Sequence, residues 1–275
     1  MTDIFGKSKR LGAMLAAVLL IFAAQAALFA GGKKAADQQQ ETVAMEPVTI
    51  TVAAAASLKN AYDQEIIPQF QAKYPWITVE GTYDSSGRLQ TQIENGLGAD
   101  VFMSAAVTQM NTLVGEGYID PTAVDNLLQN KLVLIKPTGT TTTVTGFSNI
   151  TNAKTIAIGD PKSVPAGQYA EEAFNKLGIR IPANSLSLGT NVTEVLSWVG
   201  NGSAEVGVVY ATDAASTNNV TVIETLADGV LSAPVIYPVA PLKDAPNPDA
   251  AKLFVDYLAS SDGIAVFQKY GFAKN

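Results

Sequence analysis

The chain has 275 residues, of which 47% are hydrophobic and 16% charged, with 25 acidic against 18 basic side chains. That composition builds a core rather than a disordered chain, and the length suits one large domain or two ordinary ones. It contains neither Cys nor His, which excludes disulfides, zinc–thiolate sites, cysteine nucleophiles, His-ligated metals and a Ser-His-Asp triad.

The first segment reads as an export signal. Lys7, Lys9 and Arg10 precede an apolar run from Leu11 to Ala24, and Ala24-Gln25-Ala26 offers a small-x-small cleavage site. If Gln25 is tolerated, the apolar run reaches Ala30, about the ~20 residues that span a bilayer, so a retained anchor is the alternative. Leu28-Phe29-Ala30-Gly31 resembles a lipoprotein box with Gly31 where the lipidated Cys would stand. Residues 1–30 are therefore expected to be a signal peptide or an uncleaved anchor, and 31–47 a linker. Without residues 1–30, 15 basic and 24 acidic side chains remain, a formal −9. Such a charge argues against nucleic acid as a partner. An anion site in this chain must work through local dipoles, against the field of the whole protein.

Strands and helices alternate beyond the linker, which predicts an α/β fold with mostly parallel sheets. Val48–Ala54 reads as a buried strand. Leu58–Tyr74 has helical spacing, with Pro68 predicting a kink or a break. Ile77–Tyr83 is a second strand, Ser85-Ser86-Gly87 leads into a helix over about Arg88–Asn95, and Ala99–Ser104 is a third strand. Thr108–Glu116 and Ala123–Gln129 read as short helices, and Leu132–Ile135 as a short apolar strand. Thr138–Thr145 reads as a loop, Thr155–Ile158 as a strand, and Ala166–Leu177 as a helix closed by Gly178. Asn191–Val199 reads as a helix and Val206–Tyr210 as a strand. Val235–Val239 runs through Pro238 and is expected to be an edge strand or a crossing segment. Asp249–Leu258 and Gly263–Tyr270 are amphipathic.

One arrangement recurs four times: a strand ends, a polar or Gly/Pro turn follows, and a helix begins. Ser57, Ser86, Pro165-Ala166-Gly167 and Asn191-Val192 occupy those starts. A helix N-terminus presents unpaired N–H groups and the positive end of the macrodipole. Several converging on one point make an anion site without a formal positive charge. Taken singly, each has a plainer reading. Ser57 and Ser86 are good N-caps, Pro165 suits a first helical turn, and Tyr210 suits packing with a satisfied hydroxyl.

A resemblance narrows these alternatives. Thr51-Val52-Ala53-Ala54-Ala55-Ala56-Ser57-Leu58, Ser85-Ser86-Gly87-Arg88-Leu89 and Ala99-Asp100-Val101-Phe102-Met103-Ser104-Ala105 resemble segments of periplasmic molybdate- and tungstate-binding proteins of ABC transporters. Ile158-Gly159-Asp160-Pro161-Lys162-Ser163-Val164-Pro165-Ala166-Gly167-Gln168-Tyr169-Ala170 looks like that family's most distinctive stretch. Val206-Gly207-Val208-Val209-Tyr210 and Phe267-Gln268-Lys269-Tyr270-Gly271-Phe272 are similar too, all in family order from about Val48 to Phe272.

The resemblance implies a two-lobed, type II-like binding-protein fold, with two mixed sheets flanked by helices and joined by crossing segments. Residues 48–130 with 239–275 would form one lobe and 131–238 the other. It implies an oxyanion held by the hydroxyls of Ser57, Ser86 and Tyr210 and the backbone N–H groups of Ala166 and Val192. No cofactor and no catalysis are implied, only molybdate or tungstate as ligand, a membrane permease as partner, an extracytoplasmic location and a monomer. Sulfate or thiosulfate is the alternative ligand. A serine hydrolase is the remote alternative, with Lys59 the one base near Ser57 in sequence. Two departures stand out. Asp84 precedes the serine pair, where a carboxylate aimed inward would repel an anion, and Arg88 follows it. Asp84 is expected to point outward or to pair with Arg88.

Overall fold

The computed structural model describes residues 45–275; the signal or anchor expected over 1–30 and the linker as far as residue 44 lie outside them. In chain order, β1 (Val48–Ala55) leads into a helical run. That run is a 3-10 turn (Ala56–Leu58), α1 (Lys59–Ala61), a π-helical stretch (Tyr62–Ile66) and α2 (Ile67–Lys73). Then come β2 (Ile77–Asp84), α3 (Ser86–Glu94), β3 (Val101–Met103), α4 (Val107–Gly115), β4 (Asp125–Asn130) and β5 (Leu132–Pro137). The middle of the chain forms β6 (Ile156–Gly159), α5 (Pro165–Leu177), β7 (Leu186–Gly189), α6 (Val192–Gly200), β8 (Val206–Tyr210), α7 (Ala211–Ala215) and β9 (Val220–Thr225). Last are β10 (Val235–Pro241), α8 (Pro248–Ala259), α9 (Ser261–Lys269) and β11 (Ala273–Lys274). Among these described residues no helix is long and apolar enough to cross a membrane.

The strands form two mixed sheets, ordered β11-β4-β10-β3-β1-β2 and β7-β6-β8-β5-β9. Both share one winding plan. In each, a strand is flanked by two parallel neighbours: β1 by β2 and β3, β6 by β7 and β8. In each, the first strand to arrive from the other sheet is inserted antiparallel: β10 between β3 and β4, β5 between β8 and β9. Each sheet with its helices is one lobe. The first lobe packs rings at its centre, with Tyr62, Phe70, Phe254 and Phe267 edge-on or tilted to one another. The second is built on aliphatic side chains, among them Leu134, Ile156, Val195, Val199 and Val208, all fully buried.

The structure departs from several sequence expectations. Asp125–Gln129 is strand, not helix: Leu127, Leu128 and Asn130 are buried in the sheet, so tertiary pairing overrides helical spacing. Of the two alternatives for β10 the edge strand is overturned: β10 crosses from the second sheet and lies inside the first. The missing Pro238 N–H is accommodated at a register shift between Tyr237 and Pro238, where the ladder is already interrupted. The lobe boundary expected after residue 238 therefore falls inside a strand, since β10 pairs with β4 from Val235 onward. At Pro68 the helix neither stops nor breaks. The π-helical turn just before it widens the helix where the proline cannot donate to the preceding turn.

Candidate functional site

Ligand crevices in open α/β sheets lie beyond the carboxyl ends of parallel strands, where neighbouring connections diverge. Here the two sheets bring such ends face to face. A small cavity lies between them, lined by Ala55, Ala56, Ser57, Ser85, Ser86, Ala105, Val164, Pro165, Ala166, Val192 and Tyr210. All five residues singled out from the sequence are on its wall, and no lining residue carries a charge.

Each arrives from a strand end. Ser57 lies in the 3-10 turn after β1, and Ser86 opens α3 after β2. In the second lobe, Ala166 is the second residue of α5 after β6, Val192 opens α6 after β7, and Tyr210 ends β8. Pro165 occupies the first turn of α5, where its missing N–H costs nothing. Gly167 is required there, because a side chain would collide with the Gly159 carbonyl at the end of β6. The N–H groups of Ala166 and Val192 belong to first turns, which have no acceptor within the helix. Asn191 caps α6 by accepting from Glu194 N–H at 3.0 Å, two residues beyond Val192.

The side chains are oriented by bonds made behind the wall. Ser86 Oγ is fully buried and accepts from Ala105 N–H at 2.9 Å, so its own proton is free for the cavity. Ser57 Oγ lies 2.9 Å from the Tyr237 hydroxyl. Tyr237 in turn receives Asn130 Nδ2 at 3.3 Å. The orientation of that amide is set because Asn130 Oδ1 accepts from Lys131 N–H at 2.9 Å. Tyr237 thus accepts from Asn130, and either hydroxyl can supply the proton between Tyr237 and Ser57. Tyr210 makes only a long bond, 3.4 Å, to the Ala105 carbonyl across the cleft. Burial raises the pKa of Tyr210 and Tyr237 well above the usual tyrosine value, so both remain proton donors.

Neither serine caps its helix with its side chain, so the plain capping reading does not describe them. Asp84 turns away from the cavity: one carboxylate oxygen accepts from Ser85 N–H at 2.7 Å and the other lies 3.8 Å from Arg88. Lys59 is engaged with Asp63 and lies over the Tyr83 ring, not on Ser57. Behind Tyr210, Asp213 accepts the Tyr210 N–H at 3.1 Å. Burial raises its carboxyl from the ordinary 3.8 to about 7, with the Tyr210 N–H opposing that rise.

The lobes meet closely beside the cavity. Gly87 N–H donates to the Ser163 carbonyl at 3.0 Å, and Gln109 Nε2 to Gln168 Oε1 at 3.2 Å. A Cβ on Gly87 would lie 2.5 Å from that Ser163 oxygen, so the approach needs glycine. Sequence reasoning missed Tyr237, Asn130 and Ala105. Tyr237 is 180 residues from Ser57, and no local pattern signals such a partner.

A two-lobed α/β protein with a small, uncharged, donor-lined cavity between its lobes is a ligand-capturing protein of the binding-protein type. Residues 50–273 match the model of the bacterial extracellular solute-binding protein family, and the chain belongs to that family. Bacillus subtilis YvgL, provisionally named an ABC transporter substrate-binding lipoprotein, is 38% identical over 84% of this chain and 88% of its own. The molybdate-binding protein ModA of Escherichia coli is 36% identical over 81% of this chain and 88% of its own. Among solved structures, the substrate-binding domain of a provisionally assigned molybdenum ABC transporter from Clostridium difficile superposes with a TM-score of 0.64 at 35% identity. That match covers 82% of this chain and 99% of that one.

Proposed function

We propose that this chain is the exported substrate-binding component of an ABC transporter. It captures molybdate or tungstate between its lobes and hands it to a membrane permease. The observation that carries this reading is the donor set: Ser57, Ser86 and Tyr210 hydroxyls and the Ala166 and Val192 N–H groups on one cavity wall without a carboxylate. Ser86 Oγ already accepts a hydrogen bond from Ala105 N–H, and Ser57 Oγ shares one with the Tyr237 hydroxyl. The Ser86 proton is left for a ligand, which suits an anion that carries no proton at neutral pH. A protonated oxyanion would need an acceptor facing it. Neutral donors hold charge well here, because a hydrogen bond to an ion is roughly twice as strong as one between neutral groups.

Relatives named for ABC transport and for molybdate binding support the transporter role and the molybdate specificity. The protein acts as a monomeric receptor outside the cytoplasm, carries no cofactor and performs no catalysis. Binding is expected to favour the closed arrangement of the lobes. Molybdate or tungstate should raise the melting temperature by mass action, while sulfate at equal concentration should do little. Native mass spectrometry after exposure to a mixture of oxyanions identifies the bound metal by mass. No shift and no bound mass with either molybdate or tungstate would overturn the proposal.

A further inference from the structure

One hydroxyl on the cavity wall has no part in the donor set above. Ser85 precedes Ser86, is 3% exposed, and lines the same cavity. It occupies the N-cap position of α3, where a serine oxygen normally accepts an N–H of the first turn, yet its side chain makes no such bond. The backbone closes the turn instead, with Arg88 and Leu89 N–H groups donating to the Ser85 carbonyl at 3.0 Å each. Ser85 Oγ is thus buried without any partner, one of two such side-chain atoms found among the described residues. The other, Gln109 Oε1, belongs to the pair that bridges the lobes beside the cavity.

We propose that Ser85 Oγ is a further ligand-contacting donor, bonded by the anion when it enters. The proposal rests on the oxyanion reading of this cavity and adds a sixth residue to its donor set. A buried hydroxyl without a partner is unfavourable, and the structure retains such groups rarely. Ser57 and Ser86 are held by protein partners whether or not a ligand is present. Ser85 differs: its oxygen has no protein partner, and the residue borders the cavity. Its bond is therefore formed on binding and contributes directly to affinity. It also adds a second hydroxyl at the start of α3, where the helix dipole favours negative charge.

The test is isothermal titration calorimetry of the intact chain and its Ser85→Ala variant with sodium molybdate, at a temperature where both are fully folded. The variant is expected to bind molybdate at least about tenfold more weakly, the worth of one hydrogen bond to a charged group. Its ligand-free melting temperature should be unchanged or higher, because the substitution removes an unsatisfied buried oxygen. An affinity within about threefold of the parent overturns the proposal, whatever the melting temperature does. If the parent chain itself binds neither molybdate nor tungstate, the oxyanion reading fails, and that outcome is visible before the variant is compared.

Discussion

The two lobes present equivalent strand ends to the cavity but supply different chemistry. After the central parallel strand stands Ser57 in one lobe and Ala166 in the other; after its outer neighbour, Ser86 and Val192; after its inner neighbour, Ala105 and Tyr210. At the first two positions, the first lobe offers side-chain hydroxyls and the second offers main-chain N–H groups. At the third the roles differ again, with a Tyr210 hydroxyl facing the Ala105 carbonyl. The difference teaches that a donor set can be divided between atoms that side-chain substitution removes and atoms that it leaves untouched. Ser57 and Ser86 can be deleted by alanine; the N–H groups of Ala166 and Val192 cannot. Each lobe also stabilises its donors differently. The serines are held by long-range bonds behind the wall, whereas the N–H groups are aimed by the helices that carry them.

Substitutions can break this comparison at each level, and the largest effect is expected at Ser86. Ser86→Ala removes a donor and leaves the buried Ala105 N–H without its acceptor. Ligand-free stability should fall by about 1–3 kcal/mol in denaturant titration, with molybdate affinity reduced by a further ~1.5–3 kcal/mol in calorimetry. Unchanged stability would show that the Ala105–Ser86 bond is not what orients the serine.

Gly87→Ala tests closure rather than donation. Its Cβ would meet the Ser163 carbonyl only when the lobes approach. Affinity should fall about tenfold while the ligand-free melting temperature changes little. Small-angle scattering should show a smaller compaction on adding molybdate than the parent shows.

Val192→Pro removes a main-chain donor without deleting a side-chain one. Val192 is the first residue of α6 and Asn191 before it is extended, so proline fits the backbone there. Affinity should drop by about 1–2 kcal/mol, with the helical circular dichroism unchanged. Val192→Ala, which keeps the N–H, should bind within about twofold of the parent. Equal losses in both variants would mean that the side chain, not the N–H, matters.

The smallest effect is expected at Asp213, behind Tyr210. Its folded pKa, about 7, is above the ordinary 3.8, so the folded state holds its proton more tightly than the unfolded chain. The group therefore makes stability fall as pH rises from about 4 to about 7, with no further change above that. Asp213→Asn keeps an acceptor for the Tyr210 N–H and should flatten that slope in melting curves taken across the range. It should also tighten anion binding modestly above pH 7, since a negative charge near the Tyr210 hydroxyl is removed.

Much of the second lobe's contribution was legible because it is local. Pro165-Ala166-Gly167 announces a helix start, and Asn191 announces a cap with Val192 following it. The first lobe was less legible at the level of chemistry. Ser57 and Ser86 could equally have been caps, and only the positions of Tyr237 and Ala105 show which bonds their oxygens make instead. Ser85 was hidden for a related reason: a serine before a helix looks like a cap, and its unpartnered oxygen exists only in three dimensions. Asp125–Asn130 and Pro238 misled for the opposite reason. Helical spacing and a proline are local signals, and sheet pairing with distant strands overrode both.

By itself the sequence determined the alternation of strands and helices, the placement of polar turns at strand ends, and the absence of His and Cys chemistry. These depend on residue type and on spacing within a turn or a strand. Only the tertiary structure decided which strand ends face each other and which distant groups hold the Ser57 and Ser86 hydroxyls at the cavity. Those outcomes depend on contacts between residues 19 to 180 positions apart, a separation over which no local periodicity carries information.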